Sequence, residues 1–421
     1  MEAQKRELFP GVRLTMIRSD SFPSGFFSVH LLRPLRAGDA VRSALLMHVL
    51  RSGTRKLPEE EKLSAVLEGL RGSTVEPSVF RLGETLAVGL RAVFPDERIL
   101  PAAENCLPKI IALCGEMLLD PATRGGLLRD DYVRSERQKL HDRMEAERND
   151  AKSCARLRAA ELLLRNGGIP PVRAEEALRV RYQSLTKFYR EVLRTSPMEL
   201  CYCGSVHFGR VEEAVRRAFM TLPGGEDRAM PEYPSAPAAG ELRRVTEEAD
   251  LERGYLVLGF RYPRRGETED PTLTVFGQLF GGFSSRLNRE LKDQRSLCRA
   301  LNSSVDRYTG SVTVTAELEA EHRKAAEEAI LSELQRLSEG EISPEELASA
   351  RKNAEMMYLR CLEDPSALCE FRLGQYLLDA GGDLRQYAAL ASEVRPEDVA
   401  EIASGMCHSL TYFLGKTEAK G

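Results

Sequence analysis

From Leu222 to Gly240 the chain reads Leu-Pro-Gly-Gly-Glu-Asp, then places prolines at 231, 234 and 237 before closing on Ala-Ala-Gly. Such a stretch offers little apolar surface to bury and reads as a linker. The element order before it returns after it. In the first half, strand-like runs at Val12–Ile17 and Phe26–Leu32 read as a hairpin. Helical sequence follows at Ala40–Arg51 and Glu59–Leu70. A second hairpin, Thr74–Arg81 with Thr85–Phe94, turns at Leu82-Gly83-Glu84. Then come a helix from about Asp96 to Leu119, a charged helical stretch from Leu127 to Arg165 in one piece or two, helices at Leu185–Leu193 and Arg210–Met220, and a buried strand at Met198–Gly204. In the second half, Leu242–Thr246 and Tyr255–Phe260 read as paired strands. A helix at Thr272–Asp293, interrupted at Gly281-Gly282, leads to a second pair, Arg299–Val305 and Ser311–Leu318. Helices and a closing strand at Ser409–Leu414 complete the half. The repeat is one of order, with a period near half the chain, so it predicts a duplicated domain rather than a solenoid. The expected organisation is a domain over 1–222, a linker over 223–240 and a second domain over 241–421. Each domain is expected to be α+β, a mostly antiparallel sheet with helices packed on one face.

A chain of 421 residues, 42% of them hydrophobic, has enough material for more than one core. Net charge is −4, with both signs mixed, which gives no basic stripe for nucleic acid. The N-terminal Met-Glu-Ala-Gln-Lys-Arg-Glu lacks an apolar signal segment, and no run is long enough to span a bilayer. The nine cysteines are scattered, with no CxxC pair, and read as reduced thiols of a cytoplasmic protein. Cys201 and Cys203 are expected to face opposite sides of their strand.

The stretch that carries chemistry is Ser43-Ala-Leu-Leu-Met-His48-Val-Leu-Arg-Ser-Gly-Thr54, a helix stopped by glycine. With Met117-Leu-Leu-Asp-Pro121, Arg134-Ser-Glu-Arg-Gln138 and Phe280-Gly-Gly-Phe-Ser-Ser-Arg-Leu287, it resembles the insulinase or mitochondrial-processing-peptidase family. These are zinc peptidases with an inverted H-x-x-E-H motif. Within that family the chain is similar to the non-catalytic bacterial subunits linked to modification of elongation factor P with aminopentanol. That likeness rests on Gly11-Val-Arg-Leu-Thr, Leu31-Leu-Arg-Pro-Leu-Arg and Tyr202-Cys-Gly-Ser205.

In an intact motif two histidines one turn apart bind zinc, and the adjacent glutamate activates water. Here the five positions are Ala44, Leu45, Leu46, Met47 and His48. The first ligand has become Ala44, the base has become Met47, and His48 alone remains. The resemblance places an accessory glutamate at Glu136 and the third ligand at Arg143, whose guanidinium cannot bind zinc. The expectation is therefore no metal, no cofactor and no hydrolysis. His48 reads as a hydrogen-bonded core histidine, with a cryptic His48/His141/Glu136 site as the alternative.

In the second half, the family's substrate-holding Arg and Tyr correspond to Lys292 and Arg299. With Ser285 and Arg286 they are the expected peptide contacts. Both Lys292 and Arg299 still donate hydrogen bonds, although lysine lacks arginine's planar fork. The basic run Arg261–Gly266 reads as a solvated turn, and Gly281-Gly282 as a helix break rather than a phosphate loop. The resemblance implies four homologous domains around a chamber. A two-domain chain then needs a partner, either a second copy or, more economically, a sister chain with an intact motif. A scaffold that handles no peptide is the other reading.

Overall fold

The computed structural model describes residues 2–36, 38–100, 106–163, 173–223, 241–262, 269–378 and 380–416. The linker, apart from Pro223, and residues 263–266 of the basic run lie outside them. In chain order the first half holds β1 (Glu2–Phe9), β2 (Val12–Arg18), β3 (Ser24–Pro34), α1 (Asp39–Arg51), α2 (Glu60–Gly69), β4 (Thr74–Leu82), β5 (Thr85–Pro95), α3 (Cys106–Leu119), β6 (Thr123–Arg124), β7 (Leu127–Leu128), α4 (Asp130–Asn149), α5 (Ala151–Leu163), α6 (Ala174–Arg179), α7 (Tyr182–Thr195), β8 (Met198–Gly204) and α8 (Phe208–Phe219). The second holds β9 (Arg243–Glu248), β10 (Gly254–Arg261), α9 (Glu269–Gly281), α10 (Arg286–Asn288) running into a π-helical turn (Arg289–Gln294), β11 (Ala300–Asp306), β12 (Ser311–Leu318), α11 (Arg323–Ser338), α12 (Pro344–Cys361), α13 (Pro365–Leu377), α14 (Leu384–Glu393), α15 (Pro396–Gly405) and β13 (Cys407–Gly415).

The two large sheets have one topology. The first runs β1-β2-β8-β3-β5-β4 and the second β11-β12-β10-β13-β9. Read from the other edge, the second is the first without β1. In both, the closing strand enters between the first two strands of the repeat. It pairs parallel to one, Leu14 with Leu200 and Tyr412 with Val245. It pairs antiparallel to the other, Val29 with Leu200 and Val257 with Tyr412. The fold is thus α+β with two homologous domains.

This order corrects two expected hairpins. β2 and β3 are not neighbours, and neither are β9 and β10. β2 instead turns back on β1 through Gly11, whose φ of 68 suits glycine. A short polar connection fits a hairpin and a split pair equally well, so local pattern could not separate them. One helix boundary also shifts. Asp96–Leu100 is a turn, with Asp96 Oδ1 accepting from the Arg98 amide at 2.9 Å, and the described helix begins at Cys106. The charged stretch is two helices, α4 and α5, that part at Asp150.

The chain divides into two compact units. One contains 1–145, 172–232 and 362–377, and the other 146–171, 233–361 and 378–421. Each unit therefore includes one helix from the opposite half of the sequence. In the first, Phe27, Val29 and Leu31 of β3 join the core that includes α1 and α3. α13 packs against β8 and β3, where the alternate side chains Phe26, Ser28 and His30 meet Cys369 and Glu370. In the second unit, Ala155, Ala159 and Leu163 of α5 pack on Val257, Leu410 and Tyr412. Gly259 makes the approach possible, since a Cβ there would lie 2.7 Å from both Leu163 methyls. The other side of β10 meets α9, with Phe260 edge-on to Phe280 at 5.2 Å.

Cys201 and Cys203 share one face of β8, which corrects the expectation, because residues two apart on a strand point the same way. Both lie near Cys369 of α13. All nine cysteines are free thiols.

Candidate functional site

Helix α1 presents Ala44 and His48 on an incompletely buried stripe, four residues and therefore about one turn apart. The remaining side chains from Leu45 to Leu50 are buried. Met47, at the base position, is 1% exposed and lies in the core of the first unit. A glutamate in that apolar setting would meet a desolvation cost that the thioether avoids.

The sequence after His48 is held by backbone. Thr54 N donates to Leu57 O at 2.9 Å, and Leu57 N donates to Thr54 Oγ1 at 3.0 Å. Arg55 N donates to Asp120 O and Ala122 N to Gly53 O, while Thr54 bridges to Pro121. A Cβ on Gly53 would come within 3.1 Å of the Leu57 and Pro58 carbonyl oxygens. The Gly-Thr and Leu-Asp-Pro patches are therefore two sides of one knot, which fixes the end of α1 whatever chemistry the helix carries.

Over His48 stands Arg143, from α4. Its Nη1 donates to His48 Nε2 at 2.9 Å. A guanidinium only donates, so Nε2 accepts and the ring proton sits on Nδ1. That nitrogen faces Glu136 Oε2 at 4.0 Å. Glu136 is itself buried and takes a 2.7 Å bond from Lys139 Nζ. Burial, and then the charges of Arg143, Lys139 and Arg51, push the His48 imidazole down to about 4, so the ring is neutral at pH 7. His141 pairs with Asp142 at 3.0 Å. Among the described residues the one group of three potential ligands with converging atoms is the Glu319, Glu321 and His322 set, two of them exposed. His48, His141 and Glu136 do not form one.

The residues at the motif position do not fit a zinc ion. One imidazole nitrogen is available, it is already taken by a fixed cation, and neither Ala44 nor Met47 carries a ligand or a base. The resemblance aligned Arg143 with the third-ligand position. It gave no sign that the guanidinium would reach back to the surviving histidine.

The expected contacts of the second half surround the loop after α9. Ser285 is buried, and its Oγ accepts from the Asn288 amide at 3.1 Å, capping α10. Asn288 in turn donates to Leu301 O at 3.2 Å. Arg286 and Lys292 are exposed. Lys292 Nζ lies 5.9 Å from the ring centre of Phe283, which is 84% exposed. A groove of about 410 Å³ is lined by Phe283, Ser284, Arg289, Lys292, Asp293 and Glu345, among others. Arg299 is not part of its lining; it directly precedes β11 and faces Glu317 at 3.6 Å.

With that geometry in place, the chain is similar to the homologues of M16, or insulinase-like, peptidases that lack the catalytic motif. Residues 179–354 match the family model described as Peptidase M16 inactive domain. The chain is 25% identical over 415 residues to the probable inactive metalloprotease YmfF of Bacillus subtilis, covering 97% of this chain and 96% of that protein. A conserved protein from Enterococcus faecalis V583 has the same fold, with a TM-score of 0.88 at 19% identity and full coverage of both chains. A protease from Helicobacter pylori superposes with a TM-score of 0.79 at 18% identity, over 98% of this chain and 99% of the other.

Proposed function

We propose that this chain is the non-catalytic subunit of a cytoplasmic heterodimer whose sister chain is a homologous zinc peptidase. The observation behind this reading is the contrast at α1. The knot that positions the helix is intact, while the two positions that would complete a ligand pair and supply a base carry Ala44 and Met47. A fold kept without its reaction points to a role in assembly and in holding substrate.

β4, next to α1, is an edge strand of its sheet, and an extended peptide can add to such an edge. In the second unit the groove beside Lys292, with Arg286 and Arg299 nearby in sequence and Ser285 shaping the loop, supplies donors for peptide carbonyls. The resemblance adds the setting, modification of elongation factor P, and the four-domain chamber that a pair of such chains would make. Among proteins of this fold, one was crystallised as a ferredoxin protease in complex with ferredoxin. The scaffold reading draws on the position of Arg299, outside the groove of Lys292.

The test is to purify the chain alone and with its sister. Peptide cleavage is expected from the pair, abolished by a chelator, and absent from this chain alone. Chelator-sensitive cleavage by this chain alone would falsify the proposal. Lys292→Ala with Arg299→Ala separates the two readings once the pair is shown to assemble. A drop in the pair's activity of about 10-fold or more, the scale of one or two lost charge-assisted hydrogen bonds, marks substrate handling. Unchanged activity marks a scaffold.

A further inference from the structure

The residues around His48 fail to fit a metal in a particular way: a charged side chain occupies the coordinating nitrogen. We infer that Arg143 is a built-in cationic replacement for the metal ion, tying α1 to α4 and closing His48 to divalent cations. Three observations support this. Arg143 Nη1 meets His48 Nε2 at 2.9 Å, the nitrogen left free by the proton on Nδ1. Arg143 Nε also donates to Lys139 O at 3.3 Å, one turn back along α4, so the guanidinium is braced on its own helix. Glu136, on the same helix, lies on the other side of the ring, with Oε2 4.0 Å from Nδ1. One imidazole is thus hydrogen-bonded by α4 on one side and flanked by a carboxylate of the same helix on the other.

A bound metal makes the same kind of link, drawing ligands from two helices onto one positive centre. It differs in needing deprotonated ligands and in being removable. A covalently attached cation is always present and cannot be chelated. It also repels a second cation from the only imidazole at the site. This inference concerns the isolated chain and needs no sister subunit, so it stands or falls separately from the heterodimer.

The test uses the full chain. Wild type is expected to melt at one temperature with or without chelator or added zinc, and to retain no stoichiometric zinc after dialysis. Arg143→Met keeps the aliphatic stem and removes the donor. It is expected to lower Tm by about 2–4 °C, the shift that a loss of about 1 kcal/mol gives a domain of about 150–250 residues. It should also speed amide exchange in the last turn of α1. The variant A44H/R143E restores a histidine pair one turn apart and places a carboxylate opposite it. It is expected to take up zinc at about one ion per chain and to gain Tm when zinc is added. Three results each overturn the inference: stoichiometric zinc on wild type, Arg143→Met with wild-type Tm and exchange, or a folded A44H/R143E, judged by circular dichroism, that takes up no zinc.

Discussion

His30 and Glu199 face each other across β3 and β8, and each has its proton affinity shifted by burial. His30 is held by Ser78 Oγ at 3.0 Å and packs edge-on to Phe80 at 5.1 Å. Burial, with Arg91 nearby, pushes it down to about 4. Between that value and 6.5 the unfolded chain binds a proton that the folded one does not. This contribution to stability is therefore complete above pH 6.5 and lost as pH falls toward 4. Glu199 acts in the opposite sense. Burial raises it to about 7 even though Arg13 donates to it at 2.8 Å, so its contribution weakens as pH rises from about 4.5 to 7. His30→Gln, which keeps a hydrogen-bonding group, is expected to be less acid-sensitive than wild type. The difference between pH 7 and pH 4.5 should shrink by about 2–3 kcal/mol, the linkage value of such a shift. Urea melts of both proteins at the two pH values measure it; identical pH differences would show that His30 titrates normally.

At the scale of elements, helices are placed by close approaches that the sequence marks only with small residues. Gly259→Val would put branched carbons where Leu163 of α5 already sits. Overpacking of this kind is expected to cost about 1–3 kcal/mol. Exchange should rise in α5 rather than in α9, which packs on the opposite side of β10. Protection lost equally in both helices would count against this account. Ser285→Ala removes the cap of α10 and is expected to cost about 1 kcal/mol. If its hydroxyl served only a ligand, denaturant stability would be unchanged and binding alone would fall. The split hairpins belong to this scale too. β2 with β3, and β9 with β10, have the spacing of paired strands, but each has one partner supplied from far later in the chain, as Arg261 pairs with Cys407.

For the whole molecule, the exchange of α5 and α13 sets a condition on folding. Residues 1–222 expressed alone lack α13, leaving the Phe26, Ser28 and His30 side of the first sheet without its helix. Residues 241–421 alone lack α5, leaving Val257, Leu410 and Tyr412 uncovered. Each fragment is expected to bind a hydrophobic dye and to melt well below the full chain, because uncovered apolar surface costs about 25 cal/mol per Å². Two separately stable, cooperative fragments would disprove this. Among the described residues no helix is long and apolar enough to cross a membrane.

The sequence by itself determined the duplication and the α+β class, because both are written in the order of local patterns. Ala44 and Met47 cannot act as ligand and base in any conformation. The strand order, the exchanged helices and the contact of Arg143 with His48 were decided only by tertiary structure. They join residues distant in the chain, 95 apart for Arg143 and His48. No local propensity encodes which distant surface a side chain or strand edge will meet. That selection is made when the core closes and every buried polar group has to find a partner.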